Sequence, residues 1–291
     1  FHLNHALIAS HQQILQVKGL LPLHSDYTQL YILARFVALA LAGRIGDLQR
    51  DSIRLESDGA ITCHLRFVDE ESAQEFVQDM EALGFSVPNI VPEEQHSLNG
   101  TVPQAWTTKL VNHPCVSLLI ALRDMSEGEG EEETSNSQSA GGVPGWVKNG
   151  SPLVKREFIA AFQGADACTL RWNRSQSVSH FLRHHFAPPL QQIHHLCRDV
   201  IALLDDLGVK ATPLTTVTAT TTTTNERSQI IGYCVENSAD DLIRHFSLIG
   251  YRYDHRKTAA SGAIVEYLRF QKHSSSTASS LLQPTMTTTT T

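Results

Sequence analysis

The stretch that decides the fold is Lys155-Arg-Glu-Phe-Ile-Ala-Ala-Phe-Gln-Gly-Ala-Asp-Ala167, in which small residues recur four positions apart. Ala160 is followed by Gly164 and Ala161 by Ala165, and residues four apart share one face of a helix. Because small side chains let a second helix approach closely, this stretch predicts a helix packed tightly against another. Small residues that merely fill a tight core would give the same pattern.

A matching stripe lies in the first apolar segment of the chain, at Ala34, Ala38 and Ala42. Two helices packed along these stripes would bring Ala38 and Ala42 against Ala161 and Ala165. Their C-terminal ends would then lie side by side.

The amino-acid composition is typical of a folded, globular chain. Of the 291 residues, 41% are hydrophobic and 18% are charged, as in a globular protein. The longest apolar run is interrupted by Arg35, so no segment is long enough to cross a bilayer.

The five cysteines are far apart, which argues against a disulfide framework and predicts an intracellular, reducing compartment, cytoplasm or nucleus. The chain starts at Phe1 without a signal peptide, which favours a fragment or an excised region.

Net charge, −7 with histidine neutral, at first argues against a nucleic-acid partner. However, residues 1–150 hold 9 Lys and Arg against 19 Asp and Glu, whereas residues 151–291 hold 14 against 11. Five of the acidic residues fall in the Gly- and Ser-rich tract 126–142, which is predicted to be a solvated linker. The acidity therefore belongs largely to a loop and does not exclude DNA.

Helices and strands are predicted to recur in the same order on both sides of this linker. The sequence predicts helices over 27–43, 69–83, 154–165, 190–207 and 239–249, and strands over 52–56, 61–67, 168–172 and 230–235. This order gives an α+β pseudo-repeat. We expect an N-terminal segment 1–26, a first repeat 27–125, the linker 126–142, a second repeat 143–275 and a disordered Thr-rich tail 276–291.

The stretch Phe158–Ala167 resembles the second motif of LAGLIDADG (DOD-type) homing endonucleases, of the kind often embedded in inteins. Upstream, Val143-Pro-Gly-Trp-Val147 is similar to the Val-Pro-x-Trp-Ile segment that precedes this motif. Downstream, Ile249-Gly-Tyr-Arg-Tyr253 is similar to the end of the second repeat. The resemblance runs from Tyr31 to Lys272.

This resemblance implies an α+β fold of two pseudo-symmetric αββαββα-type halves, with paired central helices and saddle-like antiparallel sheets that hold double-stranded DNA. It implies a monomer with internal pseudo-twofold symmetry and no membrane partner. In the family, one acidic residue at the base of each motif helix binds Mg²⁺ beside the scissile phosphates. Carboxylate oxygens suit this hard cation, which lowers the pKa of the attacking water and stabilises the leaving oxygen.

The second motif keeps its acid, Asp166, whereas the first motif departs from the pattern. Alignment of the alanine stripes puts Gly43 at the position of Asp166, and a more literal register puts Leu48 there, with Asp47 one residue early. The resemblance thus implies Asp166, with Asp47 as the nearest substitute in the first half, as the catalytic and Mg²⁺-binding residues. A single working acid predicts nicking of one strand, and a decayed site predicts no cleavage.

DNA contacts are expected from Arg171, Trp172 and Arg174 after the second motif helix, and from Arg252, Arg256 and Lys257 after the last helix. Lys257 and Lys210 are also candidates for a lysine that perturbs solvent near the active site. Ordinary solubility is the alternative role for any single one of these cations.

Other chemistry has less support in the sequence. His180 and His184 could form a zinc pair if a helix carried both, but Pro188-Pro189 interrupts the region and no Cys or carboxylate completes the set. No P-loop, Gly-x-Ser-x-Gly or His-Glu-x-x-His motif occurs.

Three functions remain open. The first is an endonuclease that binds double-stranded DNA and uses Mg²⁺. The second is a catalytically inactive relic that acts as a nucleic-acid-binding or maturase-like module. The third is an unrelated α+β interaction protein whose alanines only fill the core.

Overall fold

The computed structural model of the chain describes residues 5–21, 24, 27–46, 53–55, 60–86, 89–97, 100–124, 142–165, 168–172, 178–182, 190–217, 229–235 and 238–281. Among these residues, none of the helices combines the length and the apolar character that a bilayer span requires.

The part of the chain before the predicted linker combines helices with an antiparallel sheet. The helices are α1 (His5–Val17), α2 (Leu30–Gly46), α3 (Glu70–Ala82) and α4 (Pro114–Asp124), and the strands are β1 (Ile53–Leu55), β2 (Ile61–Phe67), β3 (Ile90–Ser97) and β4 (Gly100–Val111). The strands lie in the order β1-β2-β4-β3. We call this part of the chain the first half.

The part after the linker, the second half, has a second antiparallel sheet. Its helices are α5 (Gly145–Lys148), α6 (Pro152–Gly164), α7 (Leu190–Asp206), α8 (Ala239–Arg244) and α9 (His255–Leu281), and its strands are β5 (Cys168–Trp172), β6 (Val178–Leu182), β7 (Ala211–Val217) and β8 (Gln229–Val235). A π-helical turn, His245–Ile249, continues α8. The strand order, β5-β6-β8-β7, follows the same pattern along the chain as that of the first sheet. This mixture of helices and antiparallel sheets agrees with the predicted α+β class.

Side-chain caps explain where several helices begin. Asp69 accepts a hydrogen bond from the backbone N–H of Ser72 at 2.8 Å and so satisfies a free donor in the first turn of α3. Ser151 plays the same role for Val154 at the start of α6, at 3.4 Å, and Pro152 follows it at the first helical position. After α3, Gly84 has φ +74°, a left-handed conformation that glycine adopts at low cost.

The core is centred on α2 and α6. Every residue from Ile32 to Ala42 is buried, as is every residue from Glu157 to Ala165. These two helices share the most extensive helix–helix contact within the described residues. A helix with apolar residues on all sides, as α2 has, is stable only when neighbours cover it all round.

The structure adds strands to the predicted elements. The sequence does not predict β3, β4, β6 or β7. Of these strands, β3, β4 and β7 contain Pro92, Pro103 and Pro213; proline removes a backbone donor and argues against a strand. β3 and β7 are edge strands, and Pro103 pairs with Glu94 where the register shifts. The helix predicted over 239–249 is α-helical only to Arg244. His180 lies in β6 opposite Tyr233, so the helix that a His180–His184 zinc pair would require is not formed at His180.

Candidate functional site at the α2–α6 interface

The alanines that the sequence singles out lie in the two central helices. Ala38 and Ala42 of α2 and Ala161 of α6 are fully buried, and Ala165 follows α6 at 8% exposure. All four therefore lie in the hydrophobic core that includes both helices. The exact pairing of alanines across the contact stays a prediction.

An ion pair links the two helices. Arg35 Nε donates to Glu157 Oε2 at 2.6 Å, and each residue is the sixth of its helix. The two helices also share an extensive contact. That their C-terminal ends lie side by side stays a prediction.

This ion pair belongs to a larger set of polar contacts, which we call the bridging network. Its members join α2 and α3 of the first half to α6 and to the segment before α9; they are Arg35, Glu75, Asp79, Glu157, Arg252 and Tyr253.

Each charge of the bridging network has a partner of opposite sign. Arg35 Nη1 donates to both carboxylate oxygens of Asp79, at 2.8 and 2.7 Å. Arg252 donates to Glu157 Oε2 at 2.8 Å and to Glu75 Oε1 at 3.1 Å. The hydroxyl of Tyr253 donates to Asp79 Oδ2 at 2.5 Å. Such pairing is what allows charges to be buried between two packed helices.

The surroundings fix the protonation states of Glu157 and Tyr253. Burial alone would raise the pKa of Glu157, but hydrogen bonds from Arg252 and the charge of Arg35 lower this pKa to about 2. Burial raises the pKa of Tyr253, and the charge of Asp79 raises it further. Glu157 is therefore ionised at neutral pH, and Tyr253 is a neutral donor.

The loop between the π turn and α9, together with the first turn of α9, covers one face of α6. We call the residues from Gly250 to Lys257 the clasp segment. The backbone N–H of Arg252 donates to Ala160 O at 3.0 Å. A Cβ atom on Gly164 would lie 1.7 Å from Arg252 O. Gly164 is thus required for the close approach of this backbone to α6.

Lys257, expected to contact DNA, is placed at the end of α6. Its Nζ lies 2.9 Å from Gln163 O, 3.2 Å from Gly164 O and 3.1 Å from Ala165 O. Asp254 Oδ2 is 3.1 Å from the same ammonium, and the Lys257 side chain is 14% exposed.

The remaining candidates are distributed as follows. Asp47, Asp166 and Arg174 lie outside the described residues. In β5, Arg171 pairs with Ser179 and Trp172 with Val178. Arg256 is 69% exposed, with Asp69 at 3.7 Å. Lys210 is exposed.

One face of the first sheet carries basic residues that the sequence analysis does not select. His64, Arg66 and Lys109 are all exposed, and His64 is directly opposite Lys109. Arg66 also donates to Glu93 Oε2 at 2.8 Å. The alternation within β2 is visible in the sequence, but β4 was missed, so the two strands could not be combined into one basic face.

Within the part of the chain that the structure describes, no group of three or more His, Cys, Asp or Glu side chains is arranged to hold a metal ion. Because both candidate acids lie outside that part, the described residues do not by themselves form a Mg²⁺ site.

No protein-family model matches the chain. Two archaeal proteins named tRNA-splicing ligase RtcB are similar in sequence. That of Pyrococcus furiosus is 25% identical over 269 residues, which cover 89% of this chain and 25% of the ligase. That of Methanopyrus kandleri is 23% identical over 263 residues, which cover 89% and 24%. The chain thus spans about a quarter of the length of these relatives.

Solved structures with some likeness include homing endonucleases. I-DmoI in complex with its nicked target DNA and Mn has a TM-score of 0.45 and 10% identity, over 77% of this chain and 97% of that chain. I-WcaI bound to its DNA recognition sequence has a TM-score of 0.40 and 15% identity, over 80% and 91%. At these values the likeness assigns neither a family nor a function to the chain.

Proposed function

We propose that the chain is a homing-endonuclease-like protein that binds double-stranded DNA and hydrolyses phosphodiester bonds with Mg²⁺. The observation that carries the proposal is the extensive packing of α2 against α6. In the proposal these helices run in the same direction, so that residues following them emerge on one side of the molecule, where an acid could act on a duplex. The resemblance of the α6 motif to the LAGLIDADG motif supports the same function.

Asp166, two residues beyond α6, is the proposed catalytic acid and Mg²⁺ ligand. When bound, the cation would lower the pKa of the attacking water and stabilise the leaving oxygen. Gly43 stands at the matching position of α2, and Asp47 is the nearest acid beyond that helix. We therefore propose that the protein nicks one strand.

The proposed DNA surface combines the two sheets. His64, Arg66 and Lys109 would face the phosphates from the first sheet, and Arg171, Trp172 and Arg174 from the second, with Arg256 beside them. Lysine and arginine side chains supply the salt-dependent part of DNA affinity. We further propose that the protein acts as a monomer with internal pseudo-twofold symmetry.

Incubation with a library of supercoiled plasmids and Mg²⁺ tests this function, because gel electrophoresis separates nicked from linear DNA. We expect nicked circles, which disappear with Asp166→Asn. Linear DNA that depends on Asp47 would show that both halves cut. Absence of any product while Asp166 is intact would contradict the enzyme.

A catalytically inactive, nucleic-acid-binding relic is the second candidate, favoured by Gly43 at the position of the first acid. It predicts that a duplex or a structured intron RNA is bound at low salt without cleavage. The names of the curated relatives make transfer RNA a further ligand to include. Binding of RNA but not duplex DNA would favour the maturase-like form of this candidate.

A further inference from the structure

The side chain of Lys257 ends against the last carbonyl groups of α6. Its ammonium carries three protons, and the three carbonyl oxygens of Gln163–Ala165 lie within 3.2 Å of it. The last carbonyls of a helix have no partners within the helix and bear partial negative charge. Lys257 therefore caps the end of α6 from outside the helix.

Little of Lys257 remains available for a DNA phosphate. Its side chain is 14% exposed, and Asp254, which is 3% exposed, pairs with the same ammonium. The neighbouring Arg256 is 69% exposed, and its Nε lies 3.7 Å from Asp69 Oδ2. The side chain of Lys257 is thus largely buried against α6, whereas that of Arg256 is exposed to solvent.

The clasp segment also connects Lys257 to the first half. Tyr253 N donates to Glu75 Oε2 at 2.7 Å, and His255 N donates to Ser72 Oγ at 3.0 Å. Both acceptors belong to α3. Tyr253 has φ +58°, a left-handed conformation that is unfavourable for a non-glycine residue and persists only where surrounding contacts impose it. α3 thus holds the clasp segment, and the clasp segment holds the end of α6.

We propose that Lys257 is a positioning residue, which fixes the C-terminal turn of α6 relative to the first half and does not contact DNA. This inference rests on the proposed function, because Asp166 follows the capped turn directly. Loss of the cap would let that turn move, and a misplacement of about 1 Å at a reacting group can cost about 100-fold in rate.

The test compares Lys257→Met with wild type in three measurements. Hydrogen exchange of peptides covering 158–165 should become about tenfold faster, while exchange in β2 and β8 stays unchanged. The dependence of duplex affinity on salt should keep its slope. The cleavage rate at saturating DNA should fall about 100-fold. Arg269→Met, on the exposed part of α9 with Glu266 at 3.7 Å, is the matched control and should change none of these.

A phosphate contact would give the opposite pattern. Loss of one such contact lowers the slope of log affinity against log salt by about 0.9, as we expect for Arg256→Met. A decrease of that size with Lys257→Met would overturn the proposal, as would unchanged exchange in 158–165. If Lys257→Met does not fold, Lys257→Gln, which keeps two donors but no charge, replaces it in the same measurements.

Failure of the proposed function is distinguishable from failure of this inference. If the wild-type protein neither binds nor cuts any duplex, the endonuclease is wrong and the exchange measurement alone decides the role of Lys257. Faster exchange confined to 158–165 would still support the cap.

Discussion

At the residue scale, Glu157 of α6 forms the ion pair that links the two central helices. It is 1% exposed, and it accepts hydrogen bonds from Arg35 and Arg252. Its pKa of about 2 in the folded chain, against an ordinary 4.5, means that the folded chain binds this proton less tightly than the unfolded chain. The ionised carboxylate therefore stabilises the fold above pH 4.5, and this contribution is lost as the pH falls toward 2.

We expect Glu157→Gln to lower the free energy of unfolding by about 3 kcal/mol at pH 7, at about 1.4 kcal/mol for each unit of pKa shift. At pH 3 the loss should shrink to about 1 kcal/mol, because the wild-type protein has already lost most of this contribution. Urea unfolding followed by circular dichroism at both pH values measures the difference. Glu81→Gln, on the exposed face of α3, is the control and should cost less than about 0.5 kcal/mol. An equal loss at pH 7 and pH 3 would show that the charge of Glu157 is not the cause.

Residue pairs of this kind are what the sequence could not predict. Arg35 and Glu157 are 122 positions apart, and no local pattern connects a cation in one apolar helix to an acid in another. The alanines at steps of four were recognised because helix geometry makes them periodic. The position of Lys257 depends on the path of the whole clasp segment, so its residue type alone suggested DNA.

At the element scale, predictions were accurate where a local chemical rule determines an end. Asp69 caps the start of the helix predicted over 69–83, and glycines follow α3, α7 and the π turn with positive φ. Strands were predicted less well, because their proline residues are tolerated only at edges and register shifts that pairing defines. The π turn was also not predicted, because helical periodicity in a sequence does not show where the backbone hydrogen bonds change their spacing.

Two glycine substitutions are expected to change the stability of the protein in opposite directions, because only one of the glycines lies at the contact between α6 and the clasp segment. Gly164→Ala would place a methyl group 1.7 Å from the carbonyl oxygen of Arg252, so we expect a loss of about 3 kcal/mol in unfolding free energy. Gly262→Ala, in α9, meets nothing within 4 Å and should stabilise the protein by up to about 1 kcal/mol through its higher helix propensity. Thermal unfolding of both variants compares them directly. If Gly164→Ala is as stable as wild type, the clasp segment does not hold its close contact with α6.

At the scale of the whole molecule, the ends of the acidic tract are tied to the folded core. Trp146 Nε1 donates to Leu122 O at 3.0 Å, so residues before and after the tract are in direct contact. Val143 N donates to Asp199 Oδ2 at 2.9 Å, which fixes the start of the second half on α7. These contacts fix the residues on either side of the tract to the folded part of the chain.

Replacement of residues 126–141 by six Gly and Ser residues should therefore leave the fold intact. The cost of closing a loop changes slowly with its length, so we expect the unfolding free energy to change by less than about 1 kcal/mol. Removal of the five glutamates changes the net charge from −7 to −2, which should strengthen duplex binding at low salt. A full-length variant with these five glutamates changed to Gln separates charge from length. Equal gains in both variants would assign the effect to charge, whereas a loss of more than about 2 kcal/mol in the shortened chain alone would show that the tract contributes to folding.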